Sequence, residues 1–216
     1  MLTGCGCLIF VIIAILYVIF SGTNVSILGK KVIGEEQPAH VQTVQQTPAP
    51  PAPSEVAVYY PSVQIGNQIW TSSNMNEDID GSYCFNDNQD NCRNAGRLYT
   101  WKAAQRVCGN GWHLPSSEEF ETLKRNAGEN GGNKLKDKRS WRPSLGSNSL
   151  GFNAFAAGMR DESGDYMDFN EYAYYWTSNS INGNKAFLWF LYAKNSDFVR
   201  GSDDKRFAFS VRCIKD

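Results

Sequence analysis

Gly96-Arg97-Leu98-Tyr99-Thr100-Trp101, running on to Cys108-Gly109-Asn110-Gly111-Trp112-His113-Leu114-Pro115-Ser116-Ser117-Glu118-Glu119-Phe120, decides the fold of this 216-residue chain. The near-helical spacing of Leu98, Trp101, Ala104 and Val107 predicts a helix over Tyr99 to Val107. Ser116-Ser117-Glu118-Glu119 is a capping box that opens a second helix, and Gly128 closes it. Cys108 and an aromatic turn lie between the two helices. Far downstream, Ser210-Val211-Arg212-Cys213-Ile214-Lys215-Asp216 carries the domain cysteine that has no near neighbour.

Outside this stretch the pattern is mostly that of strands. Val63 to Trp70 alternates about Gly66-Asn67 and reads as a hairpin. Asn74 to Asn94 is an Asn- and Asp-rich polar loop containing Cys84 and Cys92, and Trp141 to Gly151 also reads as loop. Tyr174 to Thr177, Ala186 to Tyr192 and Arg206 to Cys213 read as strands, separated by turns such as Ile181-Asn182-Gly183-Asn184. Two early helices and a late, twisted antiparallel sheet define an α+β domain over residues 60–216.

The first 59 residues differ in kind. Residues 1–29 hold no charged side chain, and the apolar run Leu8 to Phe20 is long enough to span a bilayer once its neutral flanks are added. The reading is an uncleaved transmembrane anchor, with a signal sequence as the competing one, although no basic n-region or cleavage site is clear. Residues 30–59 form a Pro- and Gln-rich linker too poor in apolar residues to fold, ending in Pro48-Ala49-Pro50-Pro51-Ala52-Pro53. Lys30 and Lys31 would hold that side of the membrane in the cytoplasm. The four domain cysteines argue for an oxidising compartment and outweigh two lysines, so the domain is expected outside. Acidic and basic residues balance beyond residue 60, which leaves no electrostatic footprint for nucleic acid.

The chain resembles the Fibrobacter succinogenes major paralogous domain family over about residues 63 to 216. The likeness rests on Gln64-Ile65-Gly66-Asn67-Gln68-Ile69-Trp70, the Gly96 to Trp101 and Cys108 to Pro115 blocks, Gly151-Phe152-Asn153-Ala154, Ala157-Gly158-Met159-Arg160, Tyr175-Trp176-Thr177-Ser178 and Val211-Arg212-Cys213. It implies a bacterial cell-envelope protein with a C-type-lectin-like fold, distantly related to formylglycine-generating enzymes. It also implies pairing Cys84 with Cys92 and Cys108 with Cys213, where the residues alone leave three connectivities open. The related enzymes hold copper with cysteines or iron with histidines. Here the cysteines have structural uses and the histidines are missing, so no activity is carried over.

The residues offer little chemistry. His113 is the domain's only histidine and reads as structural, so neither a catalytic residue nor a metal site is expected, and no cofactor. Asp78, Asp80, Asp87 and Asp90 lack calcium-loop spacing and read as a solvated loop. Asp161 to Asp168 is a second acidic run, followed by tyrosines. Carboxylates beside aromatic rings are what sugar-binding surfaces use, which makes Asp165, Tyr166, Asp168 and Tyr172 the candidate ligand surface. The expected function is non-enzymatic: a membrane-anchored envelope protein that binds polysaccharide or a surface protein. A pilus- or surface-layer-associated role is the alternative, weakened by the missing Glu at the helix start, and an enzyme of the formylglycine-generating kind ranks third.

Overall fold

The computed structural model describes residues 59–216 apart from residues 110, 144 and 145. The expected anchor (1–29) and, but for Tyr59, the expected linker (30–59) lie outside the described residues. Among the described residues no helix is long and apolar enough to cross a membrane.

Strands β1 (Ser62–Ile65) and β2 (Gln68–Thr71) form the expected hairpin, with Ile65 opposite Gln68. Gly66 turns the corner at φ 62°, and a Cβ there would run into the Asn126 side chain. Next come β3 (Ser82–Tyr83), a 3-10 turn (Phe85–Asp87), helix α1 (Gln89–Ala95), β4 (Leu98–Thr100) and α2 (Trp101–Val107). β5 (Trp112–His113), α3 (Ser117–Ala127) and α4 (Gly131–Leu135) follow. The rest is β6 (Ala157–Arg160), β7 (Tyr166–Phe169), β8 (Tyr172–Ser180), β9 (Lys185–Tyr192), β10 (Phe198–Asp204), β11 (Ala208–Phe209) and β12 (Ile214–Lys215). One sheet has the order β1-β2-β12-β5, so the last strand pairs with the first hairpin. The other runs β10-β9-β8-β6-β11-β4-β3, with β7 paired to β6. The class is α+β, as expected.

The elements depart from expectation where local pattern and pairing compete. The helix expected from Tyr99 begins only at Trp101, because Leu98–Thr100 pairs with β3 and β11, and the Thr100 hydroxyl caps the helix by accepting from Ala103 N–H. The polar loop Asn74 to Asn94 contains β3, the 3-10 turn and most of α1, whose N-cap Asn88 accepts from Asp90 N–H (2.9 Å). This helix buries only Cys92 and Ala95, too narrow an apolar face to show as periodicity. The strand expected over Arg206 to Cys213 shrinks to β11, because every residue from Ala208 to Ile214 is buried and no face is left to alternate. Two helices were expected, and the described residues contain four.

α3 begins with the reciprocal capping box: Glu119 N–H donates to Ser116 Oγ (3.2 Å) and Ser116 N–H to Glu119 Oε2 (2.7 Å). Its apolar face, Phe120, Leu123 and Ala127, packs on Trp70, Tyr175, Trp189 and Phe198. Each fully buried large side chain there contributes roughly 1.5–3 kcal/mol. Alternate residues of β8 and β9, including Trp176 and Leu188, belong to a second cluster with Ala103, Ala104, Val107 and Phe209.

Arg212 ties the segments together from inside. Its guanidinium is wholly buried and donates to Asn74 Oδ1 (2.7 Å) and to the carbonyls of Thr71 (2.7 Å), Phe152 (2.5 Å) and Asn153 (2.8 Å). It also lies over the Phe152 ring at 4.4 Å. Two disulfides complete the frame, Cys84–Cys92 across 8 residues and Cys108–Cys213 across 105.

Candidate ligand-binding surface

The β8–β9 hairpin builds the surface by simple alternation. Tyr172 lies opposite Tyr192 and Tyr174 opposite Phe190, so these four side chains share one face. The intervening Ala173, Tyr175, Trp189 and Leu191 point to the α3 side. Phe209 meets Tyr174 at 5.1 Å, whereas Tyr172 and Tyr192 stand at the strand ends and are only partly buried. Three tyrosine rings run nearly parallel: Tyr172 and Tyr192 at 4.4 Å and 17°, Tyr172 and Tyr174 at 5.3 Å and 6°. Centroids this close put the Tyr172 ring in contact with both neighbours.

Polar groups edge this strip. Tyr174 donates its hydroxyl to Asp168 Oδ2 (2.8 Å). Burial, helped by Asp168, pushes the Tyr174 phenol far above its usual range, and burial followed by Tyr192 and Asp168 raises Tyr172. Both therefore remain neutral donors at any ordinary pH. Lys194 lies 5.7 Å from the Tyr192 ring. Beneath, the buried Lys136 ammonium donates to the carbonyls of Tyr192 (2.5 Å) and Asn195 (2.6 Å) and fixes the turn after β9. Burial pulls its pKa down to about 8, against a smaller upward pull from Asp197.

Of the four residues expected to form the ligand surface, the structure brings Asp168 and Tyr172 together and sets the other two apart. Asp165 closes a turn, donating its N–H to Asp161 Oδ1 (2.9 Å). Tyr166 packs on Phe85 (5.3 Å) and donates to Asp87 Oδ1 (2.6 Å); burial, then Asp87, pushes its phenol up to about 12. Phe190 and Tyr192 were missed because they come from the partner strand. Their signal was the turn around Asn182-Gly183, but a register shift between Trp176 and Ser180 obscures it. Counting back from the Ser180–Ala186 pair would put Tyr172 opposite Lys194, two residues off.

Other groups singled out in the sequence are engaged elsewhere. His113 Nδ1 lies 2.6 Å from Asp216 Oδ1 and Nε2 lies 2.9 Å from Glu119 Oε1, linking β5, α3 and the segment after β12. Burial depresses its pKa, but the hydrogen bonds to Asp216 and Glu119 outweigh this and leave it raised. The loop carboxylates point to separate partners: Asp78 to Arg97 (2.6 Å), Asp87 to Tyr166 and Asp90 to Arg93. Among the described residues, no three or more His, Cys, Asp or Glu side chains gather in a way that could hold a metal ion.

An α+β domain stapled by two disulfides, with its last strand returned to its first hairpin, defines the class of molecule. The family model for the Fibrobacter succinogenes major domain matches residues 63–215, and the chain belongs to that family. No curated protein and no solved structure matches it.

Proposed function

We propose that this protein is a membrane-anchored component of the bacterial cell envelope whose extracytoplasmic, C-type-lectin-like domain binds polysaccharide without catalysing a reaction. The carrying observation is the strip of Tyr172, Tyr174, Phe190 and Tyr192 edged by Asp168. Aromatic bodies with polar tips suit a ligand that offers apolar pyranose faces and hydroxyls together. Two disulfides favour the extracytoplasmic placement, since such bonds persist in oxidising compartments. The charge-free residues 1–29 supply the anchor in this reading.

The test is co-sedimentation of the full chain, in detergent, with a panel of insoluble cell-wall and plant polysaccharides. Binding should be saturable, and Tyr192→Ala should weaken it about tenfold, the scale of one lost aromatic contact of about 1.4 kcal/mol. Failure to bind any polysaccharide in the panel overturns the proposal.

A further inference from the structure

A recess of about 190 Å³ opens where the end of α1 meets the segment after β2, Arg139, and Asn153 to Phe155. That is smaller than a drug-sized site and nearer the scale of a single small group. Its chemistry is one-sided. The domain balances acid and base, yet no lining residue is Asp or Glu, while Arg93 and Arg139 both contribute. Asparagine amides supply further donors.

The walls are held before any ligand arrives. The Asn74 amide donates to Ala95 O (2.8 Å) and accepts from Arg212 Nε (2.7 Å). Asn153 is fixed in the left-handed region at φ 56°, with its N–H on Asn148 Oδ1 (2.7 Å) and its carbonyl on Arg212 Nη2 (2.8 Å). At Gly96, φ 76°, a Cβ would fall 2.7 Å from Asn74 Cβ and 2.8 Å from Met75 O, so only glycine lets these walls approach. The Cys84–Cys92 disulfide pins α1. Arg93 is paired with Asp90. The Arg139 guanidinium and Asn76 Nδ2, both on exposed residues, and Asn153 Nδ2 make no hydrogen bond among the described residues. Donors without a protein acceptor leave room for a ligand that brings acceptor charge, and a guanidinium matches an oxyanion in particular.

The recess is connected to the tyrosine strip. Arg142 N–H donates to Asn170 O (2.8 Å), and Arg142 Nη1 donates to Arg139 O (3.0 Å). Phe155 of the recess packs on Phe169 at 6.1 Å, next to Asp168. The backbone between Asp168 and Tyr172 therefore packs against a wall of the recess and leads into the strip. We infer that the recess, with Arg139 as its anchor, binds the oxyanion of an acidic polysaccharide, a carboxylate or a sulfate ester, whose chain lies on the strip. This inference rests on the polysaccharide-binding reading and specifies the ligand's charge.

The experiment measures binding of the full chain in detergent to polygalacturonate, to its carboxyl-reduced neutral form and to dextran sulfate against neutral dextran. Acidic polymers should bind about tenfold more tightly than their neutral counterparts, and Arg139→Gln should remove that difference. Carboxylate and sulfate are read separately, each polymer against its own neutral form. Arg200→Gln, an exposed cation on β10, should have no such effect. Equal binding of acidic and neutral forms overturns the inference and leaves the polysaccharide reading standing, as does an Arg200→Gln effect equal to that of Arg139→Gln. Binding to none of the polymers overturns both.

Discussion

The two disulfides close regions of different character. Around Cys108–Cys213, order comes from burial: Cys213 has no exposed surface, its neighbours Val211 and Arg212 are equally buried, and Val107 and Leu114 pack beside them. Around Cys84–Cys92, Asn86 to Asp90 are exposed, and order comes from the bridge, the Asn88 cap and paired carboxylates, with burial confined to a small cluster of Phe85 and Ala95 on Leu98, Ala157 and Ala208. Cys92 also lines the recess assigned to the ligand's anion. One bridge belongs to a frame that carries the fold, whereas the other shapes a surface that meets solvent. Removing interactions from the first region should unfold the protein; removing them from the second should alter what it binds.

Replacing both Cys108 and Cys213 with Ser should have the largest effect. In the chain-entropy model a loop of 105 residues is worth about 4–5 kcal/mol, read from denaturant unfolding of the full chain under oxidising conditions. Arg212→Met should follow at roughly 3–4 kcal/mol, because it orphans three buried acceptors and one part-buried one at about 1 kcal/mol each. The same measurement on Cys84→Ser with Cys92→Ser should lose only about 2–3 kcal/mol, as its loop spans 8 residues. If the short bridge costs as much as the long one, the contrast between frame and surface breaks down.

The smallest effect concerns pH. Because the folded-state pKa of His113 is raised, its bonds to Asp216 and Glu119 contribute fully below the unfolded value near 6.5, and the contribution is lost as pH rises through the folded value. The stability difference between the native chain and His113→Gln should therefore shrink between pH 5.5 and pH 8. A difference that grows over that interval would contradict the assignment of both carboxylates to the ring.

How much could be read in advance differs between the two regions in the same way. The frame was largely legible. The Gly66-Asn67 hairpin and the Ser116–Glu119 capping box are local chemistry, and both stand where the residues indicated. What escaped was set by pairing: β10, Phe198–Asp204, is a polar edge strand with no alternation to see, and β4 converts the start of an apparent helix into a strand. Arg212 looked like the polar phase of an alternating strand, but four acceptors from distant segments make its burial possible. For the candidate site, acidic and aromatic residues near Asp168 and Tyr172 were visible along the chain. Phe190 and Tyr192 join them only through a register that a bulge shifts by two, and Arg139 only through the backbone bond from Arg142 to Asn170.

The most direct test is polysaccharide binding by the full chain, compared with Tyr192→Ala. Tyr192→Ala should bind about tenfold more weakly while staying folded at the assay temperature, as its unfolding midpoint will show. Native-strength binding by Tyr192→Ala would contradict the assignment of the strip.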